Sequence, residues 1–154
     1  MKDDRYYCVN ENEVEEIRIA RQGSPAYSMT KRLFDPETSG SRQAMVVVAT
    51  VPPHQTDVIP AHYHVEYEET IYVVEGQGVL QIGEEPEGMR SLPLRRGSCC
   101  YIPVENYHVL KVEGDEAMKI LCSYFHVTGK GGKSHRQFTL ELTNVPFQGN
   151  YGSR

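Results

Sequence analysis

The chain has 154 residues, 24% charged and 39% hydrophobic, with a net charge of −5. That length suits about one domain with an adequate core. An acidic balance, with a pI near 5.7, argues against a nucleic-acid binder, which carries a basic face. No apolar run reaches the roughly 18 residues of a membrane span.

The opening Met-Lys-Asp-Asp-Arg-Tyr-Tyr lacks the apolar core of a secretory signal. Cys8, Cys99, Cys100 and Cys122 are too few and too irregular for a disulfide scaffold, so a reduced, cytoplasmic protein is expected, its thiols serving as small packing residues. Thirteen glycines and nine prolines punctuate many short β-rich runs, which predicts an all-β antiparallel barrel or jelly roll with little helix.

Residues 1–13 are polar. Glu13 to Gln22 reads two ways: Asn12 with Glu15 opens a helix, whereas Ile17 and Ile19 alternate as in a strand. Tyr27 to Phe34 is predicted as a strand, Asp35 to Gly40 as a turn, and Gln43 to Val51 as a strand rich in β-branched residues. Pro52-Pro53 opens a loop that runs to Pro60. Thr70 to Val74 and Gly78 to Ile82 are predicted to form a hairpin around Glu75-Gly76-Gln77. Gly83 to Gly88 is an acidic turn. Ser91 to Leu94 and Ser98 to Ile102 flank Arg95-Arg96-Gly97. His108 to Val112 is predicted to pair with Ala117 to Val127. Gly129 to Lys133 is a basic loop, Phe138 to Val145 a possible last strand, and Asn144 to Arg154 a tail. With no internal repeat, residues 1–154 are expected to form one domain, with a motif core over about 44–127, strands within 14–51 before it and an extension over 128–154.

The chemistry concentrates in His62-Tyr63-His64-Val65-Glu66-Tyr67-Glu68-Glu69 and, later, Gly97 to His108. Residues two apart on an extended chain share a face, so His62 and His64 can converge on one ion held about 2.0–2.1 Å from each imidazole. A nearby carboxylate and the later His108 would complete a site rich in nitrogen and oxygen. Glu66, Glu68 and Glu69 all stand close enough to supply the carboxylate.

These residues resemble the two motifs of the cupin family. In the first motif His62, His64, Glu69 and Gly76 fall at the family spacing; in the second, Gly97, Pro103 and His108 do. Thr56, Glu105 and Val112 stand where the family has Gly, Gly and Asn. The resemblance covers roughly residues 44–127. It implies a cupin-type double-stranded β-helix, and one divalent transition metal (Fe, Mn, Ni, Co, Cu or Zn) held by His62, His64, Glu69 and His108. It selects Glu69 over Glu66 and Glu68, which are then expected to be solvated.

His126 alternates with Ile120, Cys122 and Tyr124 on one strand face, and is the candidate catalytic acid or base, with packing as the rival role. His54 and His135 are expected to be structural or exposed. Tyr63 should pack away from the ligands, and Tyr101 or Tyr107 could line the mouth. Arg90, Arg95 and Arg96 could draw in an acidic substrate or simply face water. An open coordination position permits dioxygenase chemistry, or carbonyl polarisation for lyase or isomerase chemistry, on an oxygen-rich small molecule. The rival reading is a non-catalytic ligand-binding module. Apolar alternation in residues 14–34 and 138–147 predicts exposed strand edges, and hence a homodimer.

Overall fold

The computed structural model describes residues 7–20, 23–55, 59–127 and 137. Among the described residues, nine strands form two antiparallel sheets. They are β1 (Glu16–Ala20), β2 (Tyr27–Phe34), β3 (Ala44–Val51), β4 (Tyr67–Glu75), β5 (Gln77–Gly83), β6 (Arg90–Arg95), β7 (Cys99–Ile102), β8 (Tyr107–Lys111) and β9 (Met118–His126). The larger sheet runs β1-β2-β3-β9-β4-β7 and the smaller β6-β5-β8. The all-β expectation holds. The ambiguous segment resolves as strand β1, which carries Ile19 into the interior and leaves Ile17 exposed.

Two expected hairpins are not formed. β4 pairs with β7 and β9, whereas β5 pairs with β6 and β8. Gly76 is therefore the corner at which the chain leaves one sheet for the other. Its φ is +82°, and a Cβ there would lie 2.5 Å from the carbonyl oxygen of Ala117, so only glycine can make this turn without displacing backbone. In the same way β8 joins β5 while β9 joins β3 and β4, so His108 to Val112 does not pair with Ala117 to Val127. Adjacency in sequence suggested both hairpins; closing a core between two sheets separated the strands.

The turn at 35–40 is one turn of helix, α1 (Pro36–Ser39). The fully buried Asp35 caps it, accepting from the Thr38 amide while the Thr38 hydroxyl accepts from the Asp35 amide. Gly40 closes it in the left-handed region.

Inward-facing residues of both sheets build the core, among them Met45, Val73, Leu80, Ile102, Val112 and Met118, each no more than 1% exposed. Val112, in place of the family asparagine, belongs to this core, where an asparagine side chain would need buried partners. Of the cysteines only Cys122 is buried; Cys8 and Cys99 are exposed, which corrects their reading as packing residues. The expected 129–133 loop, 138–145 strand, C-terminal tail and His135 lie outside the described residues.

Candidate metal centre

His62, His64, Glu69 and His108 are brought together inside the protein, each less than 9% exposed. The histidines of the first cluster do not sit on a strand, as alternation suggested. His62 makes an isolated bridge to His108: each amide donates to the other's carbonyl, at 3.2 and 2.8 Å. The Glu105 amide donates to the His64 carbonyl at 2.8 Å. This short zipper sets the first motif against the second. Glu105 has φ +59°, the conformation that the glycine of the family pattern would adopt at least cost. Glu69 projects from β4, where it is paired with Tyr124 of β9 and Ile102 of β7.

One ligand atom from each of the three imidazoles lies within 4.8 Å of the others. The ring centroids of His62 and His108 are 4.3 Å apart. Backbone carbonyls fix two of the rings: His62 Nδ1 is 2.7 Å from Pro60 O, and His108 Nδ1 is 2.9 Å from Asn106 O. A carbonyl only accepts, so each Nδ1 carries a proton and each ring turns its Nε2 inward. Such backbone partners orient ligating histidines.

Glu69 Oε2 stands 3.2 Å from His108 Nε2 and 3.5 Å from His64 Nε2. The buried Nε2 of His108 makes no hydrogen bond. A buried imidazole nitrogen that faces a carboxylate oxygen without a hydrogen bond is a place where a cation between the two satisfies both. The residues present therefore fit a divalent transition metal, and nitrogen with carboxylate oxygen suits Fe, Mn, Ni, Co, Cu or Zn.

Burial, then the neighbouring His108 and His64, hold His62 well below its ordinary pKa, so it stays neutral and able to ligate. Burial pushes Glu69 up, but the close approach of His108 and His64 outweighs it and keeps the carboxyl well below the usual range. Burial and the Glu69 charge push the Tyr124 hydroxyl and the Cys122 thiol well up. Both therefore keep their protons beside that carboxylate.

The site opens on a cavity of about 120 Å³. His62, Glu69, His108, Cys122 and Tyr124 contribute to one part of its wall, and residues such as Ile19, Val47, Ile71, Leu110 and Ile120 to the rest. His126 continues the face of Ile120, Cys122 and Tyr124 but does not line this cavity. It is buried at the end of β9, its ring edge-on to Tyr67 at 5.0 Å. Tyr124 occupies the wall beside Glu69, and the period-2 pattern of β9 was the signal that could have singled it out.

Glu68 lies on the other side of β4 from Glu69 and interacts with the exposed Tyr101 on β7. Glu66 and Glu68 are half-buried rather than solvated. Tyr63 and Tyr107 pack on each other at 4.9 Å, and neither they nor Tyr101 line the cavity. Arg90, Arg95 and Arg96 are exposed and also away from it. His54 pairs with Asp115 at the surface, 3.0 Å away.

The family description "Cupin domain" matches residues 47–124, half of the chain. No curated protein matches the sequence. Among solved structures, a predicted oxalate decarboxylase from Thermotoga maritima is similar at TM-score 0.67 and 19% identity, over 79% of this chain and 100% of that one. The polyketide cyclase RemF from Streptomyces resistomycificus is similar at TM-score 0.64 and 21% identity, over 92% and 94%. The hydroxypropylphosphonic acid epoxidase from S. wedmorenis is similar at TM-score 0.63 and 17% identity, over 80% of this chain and 61% of that one. At these identities the likeness establishes the fold.

Proposed function

The chain belongs to the cupin family, and from that premise we propose that it is a metal-dependent enzyme acting on an oxygen-rich small molecule. The observation that carries this reading is the His108 Nε2, buried and aimed at the Glu69 carboxylate beside two further imidazoles. In this reading His62, His64, His108 and Glu69 hold one divalent transition metal. When bound, such an ion supplies either joint activation of O₂ and substrate, as in dioxygenases, or carbonyl polarisation for lyase or isomerase chemistry. A predicted oxalate decarboxylase, a polyketide cyclase and an epoxidase stand among the similar structures, which supports an enzymatic reading.

The chain's own residues do the rest. The Pro60 and Asn106 carbonyls keep the His62 and His108 Nε2 atoms inward. The apolar wall excludes water from a bound substrate. Tyr124 keeps a proton at its hydroxyl beside the reacting end of the cavity. His126 enters as a positioning residue, acting through Tyr67, whose ring packs edge-on against His126 at 5.0 Å and against Tyr124 at 6.5 Å.

Metal analysis of the purified protein, followed by O₂ uptake and product assays against enols, phenols and keto acids, tests the reading. O₂ consumption selects the dioxygenase, and turnover without it the lyase or isomerase. A metal-filled protein inert to all of them is a binding module. The same reading makes the protein a single-domain cytoplasmic homodimer. Exposed free thiols at Cys8 and Cys99 suit a reducing compartment. Exposed Tyr72, Tyr101 and Phe125 on the outer face of β4, β7 and β9 supply apolar surface for a two-fold contact. Light scattering at the 17.5 kDa monomer mass would contradict the dimer.

A further inference from the structure

Most polar side chains on the cavity wall belong to the metal centre. Two do not. Ser28 and Thr30 sit two apart on β2, 7% and 4% exposed, and both line the cavity. Among the described residues neither hydroxyl meets a hydrogen-bonding partner, although capping and turn hydroxyls elsewhere, such as Thr38, Ser39 and Ser41, all do. Both oxygens keep surface toward the cavity instead of being sealed off, and polar groups so placed are kept where something else meets them.

The register fixes where they stand. Thr30 is opposite Ala49, and Ala49 opposite Ile120, which lies four residues along β9 from Tyr124, the strand partner of Glu69. At the rise of a strand that is about 13 Å along the sheet, before side chains shorten it. Between the two ends the wall is apolar, with Val47, Ile71 and Ile120 among its residues. β2 also lies outside the stretch that matches the family, residues 47–124. The hydroxyl pair thus lies outside the metal motifs.

We infer that Ser28 and Thr30 form a recognition subsite, which receives a hydroxyl or carbonyl at the far end of an elongated, mainly apolar substrate whose other end carries the oxygen donors held at the metal centre. This rests on the proposed metal-dependent function and names its substrate class. Polar groups at the two ends of an apolar body give orientation as well as affinity. A substrate lacking the distal oxygen would leave both hydroxyls buried and unmet, which is how such sites discriminate.

Two pairs of acids that differ by one distal hydroxyl test it: octanoate with 8-hydroxyoctanoate, and cinnamate with 4-hydroxycinnamate. Binding is measured by titration calorimetry on the metal-loaded protein, on the same protein after chelation, and on the metal-loaded double variant Ser28→Ala/Thr30→Val. In at least one pair the hydroxylated acid should bind the wild type about three- to tenfold more tightly, the yield of one neutral hydrogen bond. The double variant should lose that preference, bind the plain acid as well as before, and melt no lower than the wild type, because the hydroxyls it removes had no partners. No preference in either pair, or a preference that survives in the variant, overturns the subsite. So does a lowered melting temperature with the preference intact, which would mark the hydroxyls as structural. Chelation separates the two readings. If removing metal leaves every affinity unchanged while the hydroxyl preference persists, the metal reading fails and the subsite stands.

Discussion

The two walls of the cavity are built on opposite terms. On the wall formed by β4, β8, β9 and the 62–64 segment, ring after ring is anchored from behind, His62 by Pro60 and His108 by Asn106, and Glu69 lies between strands β7 and β9. On the wall formed by β1 and β2, Ser28 and Thr30 offer hydroxyls that nothing in the described fold meets. In the proposed reading the first wall holds an ion and the second receives a substrate, so chemistry and recognition would reside in different strands and variants should separate them.

The sharpest way to break the comparison is at the ligands. His64→Ala or His108→Ala should leave less than about a tenth of the bound metal, since even losing an outer partner costs about 10–100-fold in affinity. Far-UV circular dichroism should stay that of a β-protein, and Glu68→Gln, altered on the opposite side of β4, should keep its metal. Metal analysis of the three variants decides. Loss in Glu68→Gln but retention in Glu69→Gln would move the carboxylate ligand.

Gly76→Ala should be the most damaging change outside the site. A left-handed φ alone costs about 1–2 kcal/mol for an L-residue, and the added Cβ would meet the Ala117 carbonyl oxygen at 2.5 Å. Urea unfolding should show the loss, and a midpoint equal to wild type would contradict the corner assigned to Gly76.

Acid acts on the first wall and spares the second. The fold depresses His62 well below 6.5, so below that pH the unfolded chain binds a proton that the fold excludes, and stability falls with pH. Glu69 adds to the same trend lower down: its folded pKa lies below 4.5, so its contribution is present above 4.5 and disappears as pH drops through the folded value. Metal, which needs neutral imidazoles, should leave over the same descent. Metal content and melting temperature followed from pH 8 to pH 4 check this. A melting temperature that rises on acidification would refute it.

The smallest effect is expected at Glu105→Gly. Relief of a φ of +59° should outweigh the extra freedom glycine gives the unfolded chain, for a gain of up to about 1 kcal/mol. Urea titration would show it. A loss would mean that the Glu105 side chain contributes more than its backbone costs.

Much of this was legible beforehand. Tyr27 to Phe34 forms a strand over the predicted residues, and β-branched density marked β3. Those are local signals, set by propensity and period. The candidate ligands were legible because three histidines and a glutamate at motif spacing are rarely accidental. The missed hairpins failed for the opposite reason: a glycine between two apolar runs looks alike whether the chain folds back on itself or crosses to another sheet. Tyr124 was visible as a face-mate of His126, but nothing local said which of the two would reach the cavity.

The sequence by itself determined the all-β class and the identity of the ligand candidates, because alternation and motif spacing are short-range properties of the chain. Only the tertiary structure decided that His62 zips to His108, that Gly76 is a corner between sheets, and that Ser28 shares a cavity with Glu69. Each of those depends on strand partners far apart in the chain, and their pairing is chosen by the burial of a shared core, which no single segment encodes.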